Sequence, residues 1–81
     1  MKAKIAIIGK GNIGWAIKQL LKDEYDIKHG DITEGLDARD ISQVREFLKG
    51  MDAVISAGPF AINKNIGTVA SEMGIGDFDL T

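Results

Sequence analysis

The sequence predicts an α/β domain built on a small parallel sheet, and three observations predict it. Short apolar runs alternate along the chain with segments whose apolar residues recur at helical spacing. The alternation runs strand, helix, strand, loop, helix, strand, helix, strand, the order of a parallel sheet with helices on both faces. The chain of 81 residues holds one such unit, so residues 1–81 are read as a single domain without repeat, linker or low-complexity tract. Four long strands are expected, lying in the order 2-1-3-4.

Ala3 to Ile8 is a short apolar, β-branched run that ends at a glycine, the pattern of a buried parallel strand. Ile13, Ala16, Ile17, Leu20 and Leu21 then give one apolar face to a helix of about three turns, which ends near Asp23–Glu24. Tyr25 to Asp31 is a second, more polar strand. Ile41, Val44, Phe47 and Leu48 mark the next helix, with Asp40 and Gln43 at the spacing of a capping box and Gly50 beyond its end. Ala53 to Ala57 is another buried strand, ended by Gly58–Pro59. Ile62, Ile66, Val69, Ala70 and Met73 form a third helical face, stopped by Gly74, and Phe78 to Leu80 is the last strand.

One segment departs from the alternation. Only four residues, 32–35, separate Asp31 from Leu36. A helical crossover takes a dozen or more. Leu36-Asp37-Ala38 is therefore either a stub of strand reached by a tight loop, the reading favoured here, or irregular.

Composition narrows the function classes. Hydrophobic residues make up 44% and charged residues 27%, the balance of a globular chain. A domain of this size buries about 60–65% of the surface that its unfolded chain exposes, so its stability is expected to be marginal. There is no cysteine and one histidine, His29, which excludes a disulfide framework and argues against a zinc site. The formal charge is −2 and neither sign clusters, so no basic stripe offers itself to nucleic acid. The longest apolar run, Ile5 to Ile8, is four residues and spans no bilayer. With no signal-peptide pattern either, a cytoplasmic location is expected.

The chemistry sits in Gly9-Lys10-Gly11-Asn12-Ile13-Gly14, a G-x-G-x-x-G between a strand and a helix in a βαβ unit. Gly9 would allow the tight turn, Gly11 the close approach of a pyrophosphate, and Gly14 the close packing of helix on strands. Asn12 and Ile13 would donate backbone N–H groups at the positive end of the helix. Asp31 stands 17 residues after Gly14 at the tip of the second strand, where an acid hydrogen-bonds the adenosine ribose. Ile32 follows it where a reader of the 2′-phosphate would carry a basic residue. That favours NAD, although Lys28 and His29 leave NADP open. Ser56-Ala57-Gly58-Pro59-Phe60 leaves the third long strand at its carboxyl end, and Ala57, Gly58 and Pro59 would lie against the nicotinamide half.

Other candidates read as structural. His29 is a strand side chain, and Asp77 and Asp79 alternate about Phe78 as a strand edge does. Trp15 lies off the apolar stripe of its helix and is expected to be exposed, as a surface residue or a partner contact. No nucleophile–base pair, paired carboxylates or metal-ligand set is present, so no residue is assigned a catalytic role.

These residues resemble a family. Lys4 to Gly14, the segment Met51-Asp52-Ala53-Val54-Ile55-Ser56-Ala57-Gly58-Pro59-Phe60, the helix with Asn63, and the closing Asp77-Phe78-Asp79-Leu80-Thr81 look like the N-terminal, Rossmann-type NAD(P)-binding domain of saccharopine dehydrogenase-like proteins. Leu36-Asp37-Ala38-Arg39-Asp40 is similar to that family's third strand and its exit. The resemblance implies an NAD(P)-dependent oxidoreductase acting on a secondary amine formed from an amino acid. It matches Gly9, Gly11 and Gly14 to the phosphate loop, Asp31 to the ribose acid, and Ala57 to Phe60 to the nicotinamide side. The family's usual helix between its second and third strands has no counterpart here, and neither has its substrate domain. The expected function is thus the cofactor domain of such an enzyme, inactive alone, with a separate substrate domain or a second copy of the chain as partner. The alternative is a stand-alone NAD(P)-binding module, and a third reading is a structural remnant that binds nothing.

Overall fold

The computed structural model describes residues 2–9, 11–32 and 35–79, with the backbone alone at Phe60. Expectations placed on Lys10, Leu80, Thr81 and the Phe60 side chain lie outside the described residues. The elements follow as β1 (Lys4–Gly9), α1 (Gly11–Leu21), β2 (Asp26–Asp31), α2 (Ile41–Leu48), β3 (Ala53–Ala57), α3 (Phe60–Met73) and β4 (Gly76–Asp79). All strand pairs are parallel, and the sheet order is β2-β1-β3-β4, as the alternation predicts.

β1 is central because it is the most apolar strand. Ala6, Ile7 and Ile8 are wholly buried, and a strand flanked on both edges and covered on both faces must be apolar throughout. Right-handed crossovers then distribute the helices. The step from β1 to β2 places α1 on one face. The step from β2 across β1 to β3, and the step from β3 to β4, place α2 and α3 on the opposite face. There Ala6, Ile8 and Val54 pack against Val44, Leu48, Ile66, Val69 and Ala70.

The faces differ in how well they are covered. The four large hydrophobic side chains exposed among the described residues are Ile13, Trp15, Leu20 and Phe78. All lie on the α1 side, where α1 shields β1 and β2 but not β3 and β4. A shallow apolar trough of about 440 Å³ remains there, lined among others by Ile5, Leu21, Tyr25, Ala53, Ile55 and Phe78. Trp15 is 63% exposed, as expected. Leu20 is exposed too, at 82%, although it belongs to the predicted apolar face, because α1 buries only the part of that face over β1 and β2.

Leu36-Asp37-Ala38 is not a strand. Gly35 and Leu36 both donate their N–H to the Asp31 carbonyl, at 3.1 Å each, so the chain doubles back as it leaves β2. Leu36 and Ala38 are instead buried as plugs under α2 and α3. Their backbone is irregular because Asp37 and Asp40 use it for a turn and a helix cap. The capping box at Asp40 also forms differently. Asp40 Oδ1 accepts the Ser42 N–H at 2.9 Å, and Gln43 turns its oxygen to the Asp37 N–H at 3.2 Å. β4 begins at Gly76, earlier than the apolar pattern indicated, because flanking Asp77 hid its start.

α1 lies close to the sheet at Gly14. A Cβ built on Gly14 would collide with the His29 imidazole of β2, whose Nε2 is buried without a hydrogen-bond partner. Gly14→Ala is therefore expected to destabilise the fold by about 1–3 kcal/mol, as overpacking does. Made in a His29→Ala background, the same change should be milder by ~1 kcal/mol or more, because the obstruction is gone. Urea unfolding of the four proteins measures this coupling. Equal losses in both backgrounds would show that the contact does not set the helix position.

Candidate functional site

The register of the sheet brings the predicted residues to one edge. Gly9 pairs with Asp31 on one side and with Ala57 on the other. Strand spacing of about 4.8 Å sets these three residues side by side at the carboxyl ends of β2, β1 and β3. β1 is also where the sheet reverses direction, since the chain leaves it toward β2 and later returns on its other side as β3. Ligands of open parallel sheets bind in the crevice outside such a point.

The loop glycines are needed for closeness rather than for turning. Among the described residues only Gly50 and Gly74, with φ of 79° and 72°, have a left-handed backbone. A Cβ on Gly9 would lie 3.0 Å from the Ala57 Cβ, so its bareness lets β1 and β3 exit together. A Cβ on Gly11 would lie 2.5 Å from the Asp31 Oδ2, which places that carboxylate directly over the start of α1. The expected turn at Gly9 therefore does not explain that glycine, whereas close approach explains all three.

The two backbone donors differ from expectation in one respect. The Ile13 N–H donates to the Asn12 Oδ1 at 3.0 Å, so a side chain already sits on that amide. An anion arriving at α1 takes this donor only after the exposed Asn12 side chain rotates away.

Of the two basic groups near Asp31 in sequence, Lys28 lies on the opposite face of the sheet, whereas His29 shares the α1 face with Asp31. Lys28 Nζ donates to the Phe47 carbonyl at 3.1 Å and lies 4.3 Å from the centre of the Phe47 ring. His29 faces Gly14 beneath α1. Ile32 reaches across the edge, its Cδ1 lying 3.5 Å from where a Cβ on Gly58 would stand.

Beside Ile32 opens a cleft of about 550 Å³, lined among others by Leu36, Asp37, Ala38, Arg39 and Ile62. Its volume suits a small organic ligand. The sequence does not reveal this cleft, because it leaves Leu36–Ala38 as either a strand stub or irregular chain and shows neither as a wall. The available signal was the pair of short apolar residues, Leu36 and Ala38, flanked by Asp37 and Asp40 with no strand-length run. Asp37 Oδ1 accepts both the Arg39 N–H at 3.0 Å and Arg39 Nε at 3.2 Å. These bonds hold the Asp37 carboxyl below its ordinary value, the backbone bond contributing most.

The β3 exit carries the remaining predicted residues. Gly58 donates its N–H to Asn63 Oδ1 at 3.0 Å, and Pro59 opens α3 without a side-chain cap. Asp77 and Asp79 do more than alternate. Ser56 Oγ donates to Asp77 Oδ1 at 2.8 Å, and Asn63 Nδ2 donates to Asp79 Oδ1 at 2.9 Å.

Among the described residues no three His, Cys, Asp or Glu side chains are placed to hold a metal ion. Nor is any helix there long and apolar enough to cross a membrane. No protein-family model matches the chain, and no curated protein matches it. What the geometry establishes is a Rossmann-like topology.

The Asp37–Arg39 turn titrates in a predictable direction. Its bonds favour the carboxylate, so they support the cleft wall above the ordinary carboxylate range and are lost as pH falls through the lowered value. Carboxyl-carbon NMR should give Asp37 a midpoint below that of a free aspartate. Arg39→Ala should raise this midpoint only part of the way, because the backbone N–H bond survives. A full return to the ordinary value would assign the effect to the guanidinium instead.

Proposed function

We propose that this chain is a dinucleotide-binding domain taking NAD, the cofactor part of a saccharopine dehydrogenase-like oxidoreductase with an amino-acid substrate. The observation that carries the reading is the convergence of Gly9, Asp31 and Ala57 at the sheet's reversal point, with the Asp31 carboxylate lying over Gly11. The adenine takes the cleft beside Ile32, Leu36 and Ala38, and the ribose hydroxyls take Asp31. The pyrophosphate crosses Gly11 to the start of α1, where Asn12 yields the Ile13 N–H. The nicotinamide half rests on Ala57, Gly58 and Pro59.

When bound, the dinucleotide supplies the hydride acceptor; the chain's own residues orient it. The preference for NAD over NADP is supported by the position of Lys28, whose ammonium is taken up by the Phe47 carbonyl and ring on the opposite face. It is supported also by Asp31, which attracts ribose hydroxyls and repels a 2′-phosphate. In this reading the amino-acid site and the acid–base group belong to a substrate domain, and the uncovered apolar face beside α1 packs that domain or a second copy.

NAD⁺ at a hundred times its dissociation constant stabilises the native state by about 2.7 kcal/mol. In a domain this small the melting midpoint should rise by roughly 10–20 °C. Differential scanning calorimetry with and without millimolar NAD⁺ reads this directly, and an unmoved midpoint leaves only the non-binding remnant.

Asp31→Ala removes charged hydrogen bonds worth about 1.5–3 kcal/mol, so NAD⁺ affinity should fall roughly ten- to a hundredfold while the gap to NADP⁺ narrows. Isothermal titration with both cofactors measures it. Unchanged NAD⁺ affinity would move the ribose site to Asp37. With saccharopine-like amino acids and NAD⁺, the chain alone should form no NADH.

A further inference from the structure

Two polar side chains are buried among the described residues, Ser56 at 0% and Asn63 at 2% exposure. Ser56 lies near the carboxyl end of β3 and Asn63 in the first turn of α3, and neither belongs to the glycine loop. A buried amide is tolerated only when its donors and acceptor are used. Asn63 uses both ends, accepting from the Gly58 N–H at 3.0 Å and donating to Asp79 Oδ1 at 2.9 Å. Ser56 and Asp77 make a parallel tie one step back along the same strands.

Core packing does not require this arrangement, since an apolar side chain of similar size would fill the same space. What the amide adds is geometry. Gly58 is the residue with the greatest backbone freedom in the β3 exit. On one side of it Pro59 is fixed by its ring, at φ −58°. On the other, its N–H is held by Asn63, which is itself held by β4. The exit is thus set in one conformation by a relay from Gly58 through Asn63 to Asp79.

We infer that Asn63 is a positioning residue: it presets the backbone of Ala57-Gly58-Pro59 for the nicotinamide half of the dinucleotide, with Asp79 as its anchor on β4. The inference rests on the dinucleotide reading above. Ordering the loop during folding removes that entropy loss from the binding step. The effect is confined to the half of the ligand that touches the β3 exit, so a ligand without that half does not feel it.

The test uses NMR hydrogen exchange at the Gly58 amide and calorimetry with NAD⁺ and with AMP. In Asn63→Ala, Gly58 exchange should quicken at least about tenfold, the scale of one lost hydrogen bond. NAD⁺ affinity should fall by about tenfold with it, while AMP affinity stays within about twofold. Asp79→Ala, a change at an exposed position, should give the same split in smaller measure and keeps the test open if Asn63→Ala does not fold. Reversing the pair, Asn63→Asp together with Asp79→Asn, keeps an acceptor for Gly58 and a donor–acceptor bond to β4, and should restore both exchange and NAD⁺ affinity. Equal losses for NAD⁺ and AMP, or unchanged Gly58 exchange in a folded Asn63→Ala, would overturn the positioning role alone. Wild-type protein that binds neither ligand would overturn the dinucleotide reading and this inference with it.

Discussion

The structure depends on β1 being buried on both faces and paired on both edges. Ala6, Ile7 and Ile8 have no exposed surface, and only the centre of the sheet provides such a place. Once β1 is central, parallel pairing and the right-handed crossover leave little choice. α1 takes one face, α2 and α3 the other, and the chain reverses direction across β1. The same placement makes the crevice, because β2 and β3 can end beside Gly9 only if β1 lies between them. It also explains the bare side of the sheet. Two crossovers run one way from β1 and one runs the other, so β3 and β4 are covered on one face only.

The fold was legible because each element carries its period in its own residues. Ile5 to Ile8 cannot be an amphipathic helix, and Ile62, Ile66, Val69, Ala70 and Met73 cannot be a strand. The irregular segment was not legible, because Leu36 and Ala38 alternate as strand residues do. Their burial comes from filling space under α2 and α3, a relation between residues far apart in the chain. The start of β4 was obscured for the opposite reason. Its acids, Asp77 and Asp79, look solvated in the sequence, yet both accept hydrogen bonds from buried partners on the α3 side.

The candidate site divides in the same way. That Gly9, Gly11, Gly14 and Asp31 belong together follows from spacing alone. Why each glycine is bare does not, because the answer lies in side chains at distant positions: Ala57 for Gly9, Asp31 for Gly11, His29 for Gly14. Lys28 shows the limit from the other direction. Sequence places its ammonium near Asp31, but side chains alternate across a strand, and its side is the one packed by α2. There the end of that helix offers a carbonyl and an aromatic ring, and the ammonium takes both.

The two halves of the crevice are held by different physics. On the β2 side the positions are steric: bare glycines let Asp31 and His29 come against α1, and any added Cβ meets an atom. On the β3 side they are polar: Ser56 and Asn63 tie the strand exit to β4 through hydrogen bonds from buried groups. Steric closeness is set by the sheet register and survives small changes of charge. A polar relay is directional and fails when either end is removed, because a buried amide is left unsatisfied. The glycine loop is therefore held by the framework itself, whereas the single conformation of the β3 exit depends on groups outside the crevice. Under the dinucleotide reading proposed above, that division would fall between the adenosine end and the nicotinamide end, where the reacting carbon must be placed.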